Sequence, residues 1–334
     1  MAEHDAVAWN ESEIADLTAK VDALRASMAQ VIIGQADVVE LLMTCLLAGG
    51  HALVEGVPGL GKTLLVKSLA QATDMQFRRV QFTPDLMPSD IVGTEILEED
   101  TSTGKRVFRF QPGPVFTQVL LADEINRAPP KTQSALLEAM QERSVTFAGQ
   151  THKLPKPFFV LATQNPIEQA GTYPLPEAQL DRFLLRIDVG YPSEIEEVAM
   201  VGRTTHAGLQ DAKPAMDLAS LLRLQLLVRD IEIGEHLLRY ATRLVRATRP
   251  GDSKVAAVVK HVGWGAGPRA GQALVLAAKA RALMQGRLAV TRDDIGAMLL
   301  PVLAHRVLRN FEAEADGVAI ADILQALRSE IRVD

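Results

Sequence analysis

The run Gly56-Val57-Pro58-Gly59-Leu60-Gly61-Lys62-Thr63 leaves this chain fewer possible folds than any other stretch of it. A short apolar segment, Ala52-Leu53-Val54, precedes it, and a helix-forming one follows through Leu64, Leu65, Val66, Leu69 and Ala70. Strand, glycine loop and helix in that order make a phosphate-binding loop. Glycines let successive backbone N–H groups turn inward around an anion, where a Cβ would block the turn. The helix that starts at the loop adds the positive end of its dipole. Lys62 then reaches the β- and γ-phosphates of a nucleotide, and the Thr63 hydroxyl takes a place on Mg2+. A chance glycine turn, the bland alternative, does not account for the flanking strand and helix.

The next informative run is Val115 to Ala122, a buried-strand pattern that ends in Asp123-Glu124. In an open α/β fold such a strand carries its last residues to the edge where ligands bind. Asp123 is suited to hold Mg2+ through its water shell, and Glu124 to orient and polarise an attacking water. An isolated Asp-Glu pair is as well explained by a solvated turn; the buried strand beneath it favours the site. A further apolar strand, Phe158 to Ala162, ends in Thr163-Gln164-Asn165-Pro166. The Asn165 amide can hydrogen-bond both the water and the γ-phosphate, although Asn-Pro alone is a turn signal.

Around these motifs the chain divides in two. Residues 10–29 carry apolar positions at helical spacing with Asn10 as cap, which predicts an N-terminal helix. Strands alternate with helices up to residue 190, the last strand being Phe183 to Val189. From Tyr191 the strands stop, and helical periodicity recurs around 194–206, 217–229, 235–249, 268–285, 292–309 and 318–330. The expected organisation is an α/β nucleotide-binding core over 1–190 and an all-α lid over 191–334. Two segments, 83–113 and 142–157, read as hairpin-like insertions into the core; the first has a polar tip, Glu98 to Lys105.

Composition excludes several function classes. At 334 residues and 48% hydrophobic the chain can bury a full core, and at 4% aromatic it is poorly equipped to stack bases or sugars. The single cysteine, Cys45, cannot pair internally and sits in an apolar helical pattern, so it reads as a small core side chain under reducing conditions. The first residues are polar and acidic, which argues for a cytoplasmic protein without a secretory signal. The longest apolar run, Val38 to Val54, is broken by Glu40, two glycines and His51, so no membrane span is expected. A net charge of −6 gives no general affinity for nucleic acid. The histidines, His51 among them, show no metal-ligand spacing.

Four blocks together resemble the MoxR branch of the AAA+ ATPases: Gly56 to Thr63, Leu121 to Met140 (LADEINRAPPKTQSALLEAM), Ala162 to Pro166 (ATQNP) and Leu175 to Phe183 (LPEAQLDRF). The resemblance spans roughly residues 30 to 330. It implies a parallel five-stranded sheet in the order 5-1-4-3-2, a helical lid, and a ring, usually hexameric, with ATP between subunits. It also implies that Lys62 and Thr63 are the Walker A lysine and hydroxyl, Asp123 and Glu124 the Walker B pair, and Asn165 sensor 1. Ile33, Gly34 and Leu64 join Gly56 to Thr63 as nucleotide contacts. Arg182 matches the arginine finger and Arg269, in Gly267-Pro268-Arg269-Ala270, matches sensor 2; the family often has serine where this chain has Gly267. The implied clients are proteins with a von Willebrand factor A domain, in metal-cofactor insertion or complex assembly.

Arg182 can also be argued from chemistry. A loose phosphoryl-transfer transition state spreads negative charge over its oxygens, and an arginine supplied there is worth about 10³–10⁵ in rate. The competing arrangement is a surface salt bridge to Asp181 or Glu177, worth at most about 1 kcal/mol. Three other functions compete with a remodelling ATPase. A small-molecule kinase would work as a monomer. A helicase-like or magnesium-chelatase-like motor would, as a helicase, show a basic hairpin, whereas Glu98-Glu99-Asp100 is acidic beside Lys105, Arg106 and Arg109. A non-hydrolysing scaffold would not need Lys62, Glu124 and Arg182 intact.

Overall fold

A computed structural model describes residues 9–99, 106–165, 171–205 and 211–333. The acidic first residues, most of the tip of the first hairpin (100–105), Pro166 and His206 lie outside the described residues.

Five strands form the central sheet: β1 (Ala52–Gly56), β2 (Phe77–Gln81), β3 (Val119–Asp123), β4 (Phe159–Gln164) and β5 (Leu185–Val189). All neighbours pair in parallel, in the order β2-β3-β4-β1-β5, which is 5-1-4-3-2 read from the other edge. Strands buried on both faces need apolar residues at every position, and β3 and β4 are such runs. Successive side chains alternate between two cores. Val54, Leu121, Leu161 and Ile187 face the first core, while Leu53, Ala122, Val160 and Ala162 face the second.

The first core holds α1 (Glu11–Val31), α2 (Ala36–Leu47) and α3 (Lys62–Ala72) against the sheet, and runs on into the lid. Asn10 caps α1 by accepting from the Glu13 N–H at 2.8 Å, the cap read from the sequence. The second core is closed by α4 (Pro130–Glu142), whose Leu136, Leu137 and Met140 face in. Both predicted hairpins form, Gly93–Glu99 with Arg106–Pro112 and Ser144–Phe147 with Gln150–Lys153.

The lid is built on α5 (Glu194–Thr204), α6 (Leu218–Asp230), α7 (Glu235–Arg246), α8 (Pro268–Met284), α9 (Arg292–Leu303) and α10 (Ile320–Glu330). It is helical but not free of strands. Val262–Trp264 pairs antiparallel with Leu308–Arg309, so the helical pattern read over 292–309 ends at Leu303 and the chain returns extended. The ribbon turns Trp264 outward, 70% exposed. Asp294, fully buried, ties the lid together by accepting from Arg281, Arg287 and the Thr291 cap. Among the described residues no helix is long and apolar enough to cross a membrane.

Candidate functional site

The glycine loop leaves β1 at Gly56 and enters α3 at Lys62. Gly59 and Gly61 have φ of +88° and +74°, and an added Cβ at either would meet nothing within 4 Å. Their requirement for glycine is therefore the left-handed backbone, and the space above them is open. An open cradle of backbone at a helix N-terminus fits a phosphate. The Lys62 ammonium folds back to donate to the Gly56 carbonyl. Burial pulls its pKa below the usual range, against the opposing charges of Asp123, Glu124 and Glu55. Thr63, half-buried, is the next residue of the same helix turn.

Parallel register brings the carboxylates to the same edge. Val54 pairs with Thr163, and Gln81 with Asp123. The Thr163 hydroxyl donates to Asp123 Oδ1 at 2.6 Å and accepts the Glu124 N–H at 2.8 Å. Glu124 is in the left-handed region, φ +56°, so this bond helps hold a strained turn. Gln81 Nε2 donates to Glu124 Oε2 at 2.7 Å, and Arg127 lies 3.1 Å from the same oxygen. Arg79 donates to Asp123 Oδ2 at 2.7 Å. Asn165, buried, follows β4 at this edge. Among the described residues no group of three acidic, histidine or cysteine side chains could hold a metal. Thr63 and Asp123 supply two oxygens, a donor set that suits Mg2+, which keeps several of its waters.

Ile33 lines a small apolar pocket with Leu60, Gly61 and Leu64, roofed by Met200 and Arg203 of α5. Gly34 lies beneath α5, where a Cβ would collide with Glu196. Val57 packs against the first core, and Pro58 is exposed at the tip of the loop.

Arg182 and Arg269 are elsewhere. Ala52, the first residue of β1, pairs with Leu185, so the segment before β5 lies at the opposite edge of the sheet. The strands alone separate the two edges by about 13 Å at their usual rise. Arg182 and Arg269 line one cavity of about 260 Å³ together with Gly50, Arg143 and Arg306. Among the described residues the Arg182 guanidinium has no hydrogen-bond or ion-pair partner. The salt bridge weighed for it does not form, because Asp181 turns to the lid. Arg306 Nε donates to Asp181 Oδ1 at 2.7 Å, and Arg269 stands 4.0 Å from Oδ2. Arg306 also donates to the carbonyls of Phe183 at 2.6 Å and Leu184 at 3.1 Å.

Sequence reasoning missed Thr163, Gln81, Arg79 and Arg306. Thr163 stood inside a quoted motif, and its hydroxyl on an otherwise apolar strand was a signal. The other three show only through the register and the lid packing.

A family model described as the ATPase family associated with various cellular activities matches residues 51–185, and one for the AAA lid domain matches 256–327. The chain is 45% identical over 307 residues to Chaperone MoxR1 of Mycobacterium tuberculosis, covering 91% of this chain and 80% of that protein. It is 34% identical to Protein MoxR of Paracoccus denitrificans, covering 89% and 91%. A crystal structure from Cytophaga hutchinsonii, described as a candidate ATPase, superposes with a TM-score of 0.90 at 39% identity, covering 97% of this chain and 98% of that one. With its glycine loop at a helix N-terminus, paired carboxylates and helical lid, the chain belongs to the MoxR family of AAA+ ATPases.

Proposed function

We propose that the chain hydrolyses Mg-ATP only as a head-to-tail assembly, and uses the energy to remodel or activate protein clients in the cytoplasm. One observation carries this reading: Arg182, unpaired among the described residues, lies with Arg269 at the sheet edge opposite Lys62, Asp123 and Glu124. An arginine at that edge cannot reach the phosphates of its own subunit; it can reach those of a neighbour. Heterologous contacts of this kind close into rings, and a hexamer is the ring the family resemblance implies. The division into a core over 1–190 and a lid over 191–334 belongs to the same proposal.

The roles follow from the placements. The backbone of Gly56 to Gly61 and the N-terminus of α3 cradle the β-phosphate, with Ile33, Gly34, Leu60 and Leu64 around the base. Lys62 leaves the Gly56 carbonyl to meet the γ-phosphate. Thr63 and Asp123 would hold Mg2+, which when bound would supply charge neutralisation at the phosphates. Glu124 takes the proton of the attacking water, its carboxylate aimed by Gln81 and Arg127. Asn165 orients that water, and a neighbour's Arg182 and Arg269 stabilise the charge that develops on the phosphoryl oxygens.

The first hairpin supports a protein client. It exposes Leu97 and Phe108, 52% and 72%, and its Arg109 is paired with Glu98 at 3.3 Å. The family resemblance points to von Willebrand factor A domain proteins in cofactor insertion or complex assembly.

The test mixes two inactive chains. Arg182→Ala and Lys62→Ala should each lose turnover, and together regain part of it, because one junction in the mixture pairs an intact loop with an intact arginine. Turnover per chain should also rise with concentration. Absence of rescue would show that Arg182 serves its own subunit or none.

A further inference from the structure

Two surfaces exposed among the described residues match each other. The first is the outer face of α5. Its inner side turns Glu196, Met200 and Arg203 toward the loop before α2 and the base pocket. Ile195, Val198 and Val201 point the other way, 83%, 68% and 62% exposed, with Tyr191 continuing the stripe just before the helix. At a rise of 1.5 Å per residue the helical part of the stripe is about 9 Å long. Glu194 and Glu197 lie in and beside it. Isolated exposed apolar residues need no explanation; a stripe at helical spacing marks a contact.

The second surface is a groove of about 710 Å³ in the lid, between α7 and α8. Val245, Val275 and Leu276 form its apolar floor, and Arg229, Arg246 and Lys279 are among the cations of its rim, which among the described residues includes no acidic residue, although Arg246 lies 3.3 Å from Asp252 beside it. The groove is continuous with the arginine cavity, since Gln272 and Leu276 line both.

We propose that the outer face of α5 in one copy docks into the α7–α8 groove of the next copy, its apolar stripe on the floor and its two glutamates against the rim. This rests on the reading that Arg182 serves a neighbour, and it deepens that reading by naming the surface that holds the neighbour there. Charge and apolarity are complementary across the pair. Position agrees too. The α5 helix roofs the base pocket, and the groove adjoins the arginines, so the contact that joins two copies also joins the two halves of one site. Because Met200 and Arg203 share α5 with the stripe, a bound base would set the angle at which the stripe is offered.

The experiment is sedimentation velocity on the full chain with ATP, in the Glu124→Gln background so that turnover does not end the state. Ile195→Asp with Val198→Asp places carboxylates on the apolar floor and should weaken assembly at least about tenfold. Both residues are exposed, so folding should be retained, and binding of a fluorescent ATP analogue by the single subunit should stay at the parent value. Arg229→Glu with Arg246→Glu should weaken assembly in the same way. Each of these chains keeps one surface intact, so an equimolar mixture of the two should sediment as dimers, joined at the only intact junction the pair can form. Assembly of the aspartate variant at the parent concentration, or a mixture that stays monomeric, would overturn the docking while leaving the shared site standing. A parent chain that stays monomeric with concentration-independent turnover would overturn both.

Discussion

Thr163→Val is the sharpest perturbation of this site, because valine keeps the shape of threonine and removes only its hydroxyl. Two bonds are lost: a charge-assisted one to Asp123 at 2.6 Å and one from the Glu124 N–H at 2.8 Å. Bonds to charged groups contribute about 1.5–3 kcal/mol and neutral ones about 0.5–1.5, and the buried N–H is left unsatisfied, so a loss of about 2–4 kcal/mol of stability is expected. Thr163 is 1% exposed, so water cannot take the place of the hydroxyl. The larger effect should be on turnover. Glu124 sits at φ +56° and is free to relax once its N–H is released. A shift of about 1 Å in a reacting group costs about 10²-fold, and turnover should fall by that order. Binding of nucleotide should be unchanged, because the glycine loop and Lys62 lie on another strand. Thr163→Ser keeps both bonds and should restore turnover. Denaturant unfolding, single-turnover hydrolysis and equilibrium binding of a fluorescent analogue measure the three quantities. A valine variant with parent turnover and parent stability would refute the idea that this hydroxyl holds the Asp123-Glu124 turn.

Two further outcomes follow from buried groups. Burial lowers His51 to about 4, against a weaker opposing bond to the Met140 carbonyl, while its Nδ1 accepts the Val160 N–H at 3.0 Å. Below pH 6.5 the unfolded chain takes up a proton that the folded one refuses. Stability should therefore fall as pH drops from about 6.5 toward 4, by about 2 kcal/mol between pH 7 and 5. His305, also lowered by burial, acts in the same direction. Urea midpoints at the two pH values should show a shallower slope for His51→Gln, and an unchanged slope would remove His51 from the account. Arg306→Met leaves Asp181 and the Leu184 carbonyl without their buried donor, and the Phe183 carbonyl with His305 Nε2 alone, 3.1 Å away. It should cost about 3 kcal/mol by denaturant unfolding and weaken rescue in the mixing assay, since the segment bearing Arg182 loses its tie to the lid. A loss under about 1 kcal/mol would show that the tie is slack.

The parts legible in the sequence are those specified by neighbours along the chain. A glycine loop needs its glycines at fixed offsets, a strand buried on both faces needs an unbroken apolar run, and a helix declares itself by spacing and cap. Those local rules were enough for the glycine loop of Gly59 and Gly61, for the strands that lead to Asp123 and Asn165, and for the helices of the lid. They failed where pairing is non-local. Leu308–Arg309 read as the end of a helix because the ribbon that captures it, Val262–Trp264, lies far upstream. Likewise, nothing next to Thr163 in the chain announces that its hydroxyl would meet the carboxylate of Asp123, and nothing beside Arg182 shows that Arg306 would draw Asp181 away from it. Parallel register decided the first, and lid packing the second. Register also decided which edge of the sheet each charge occupies, and so which groups can meet within one subunit. A chain can name its reactive side chains locally; where they stand relative to one another is set by strands and helices joined across long loops, and that was settled only on folding.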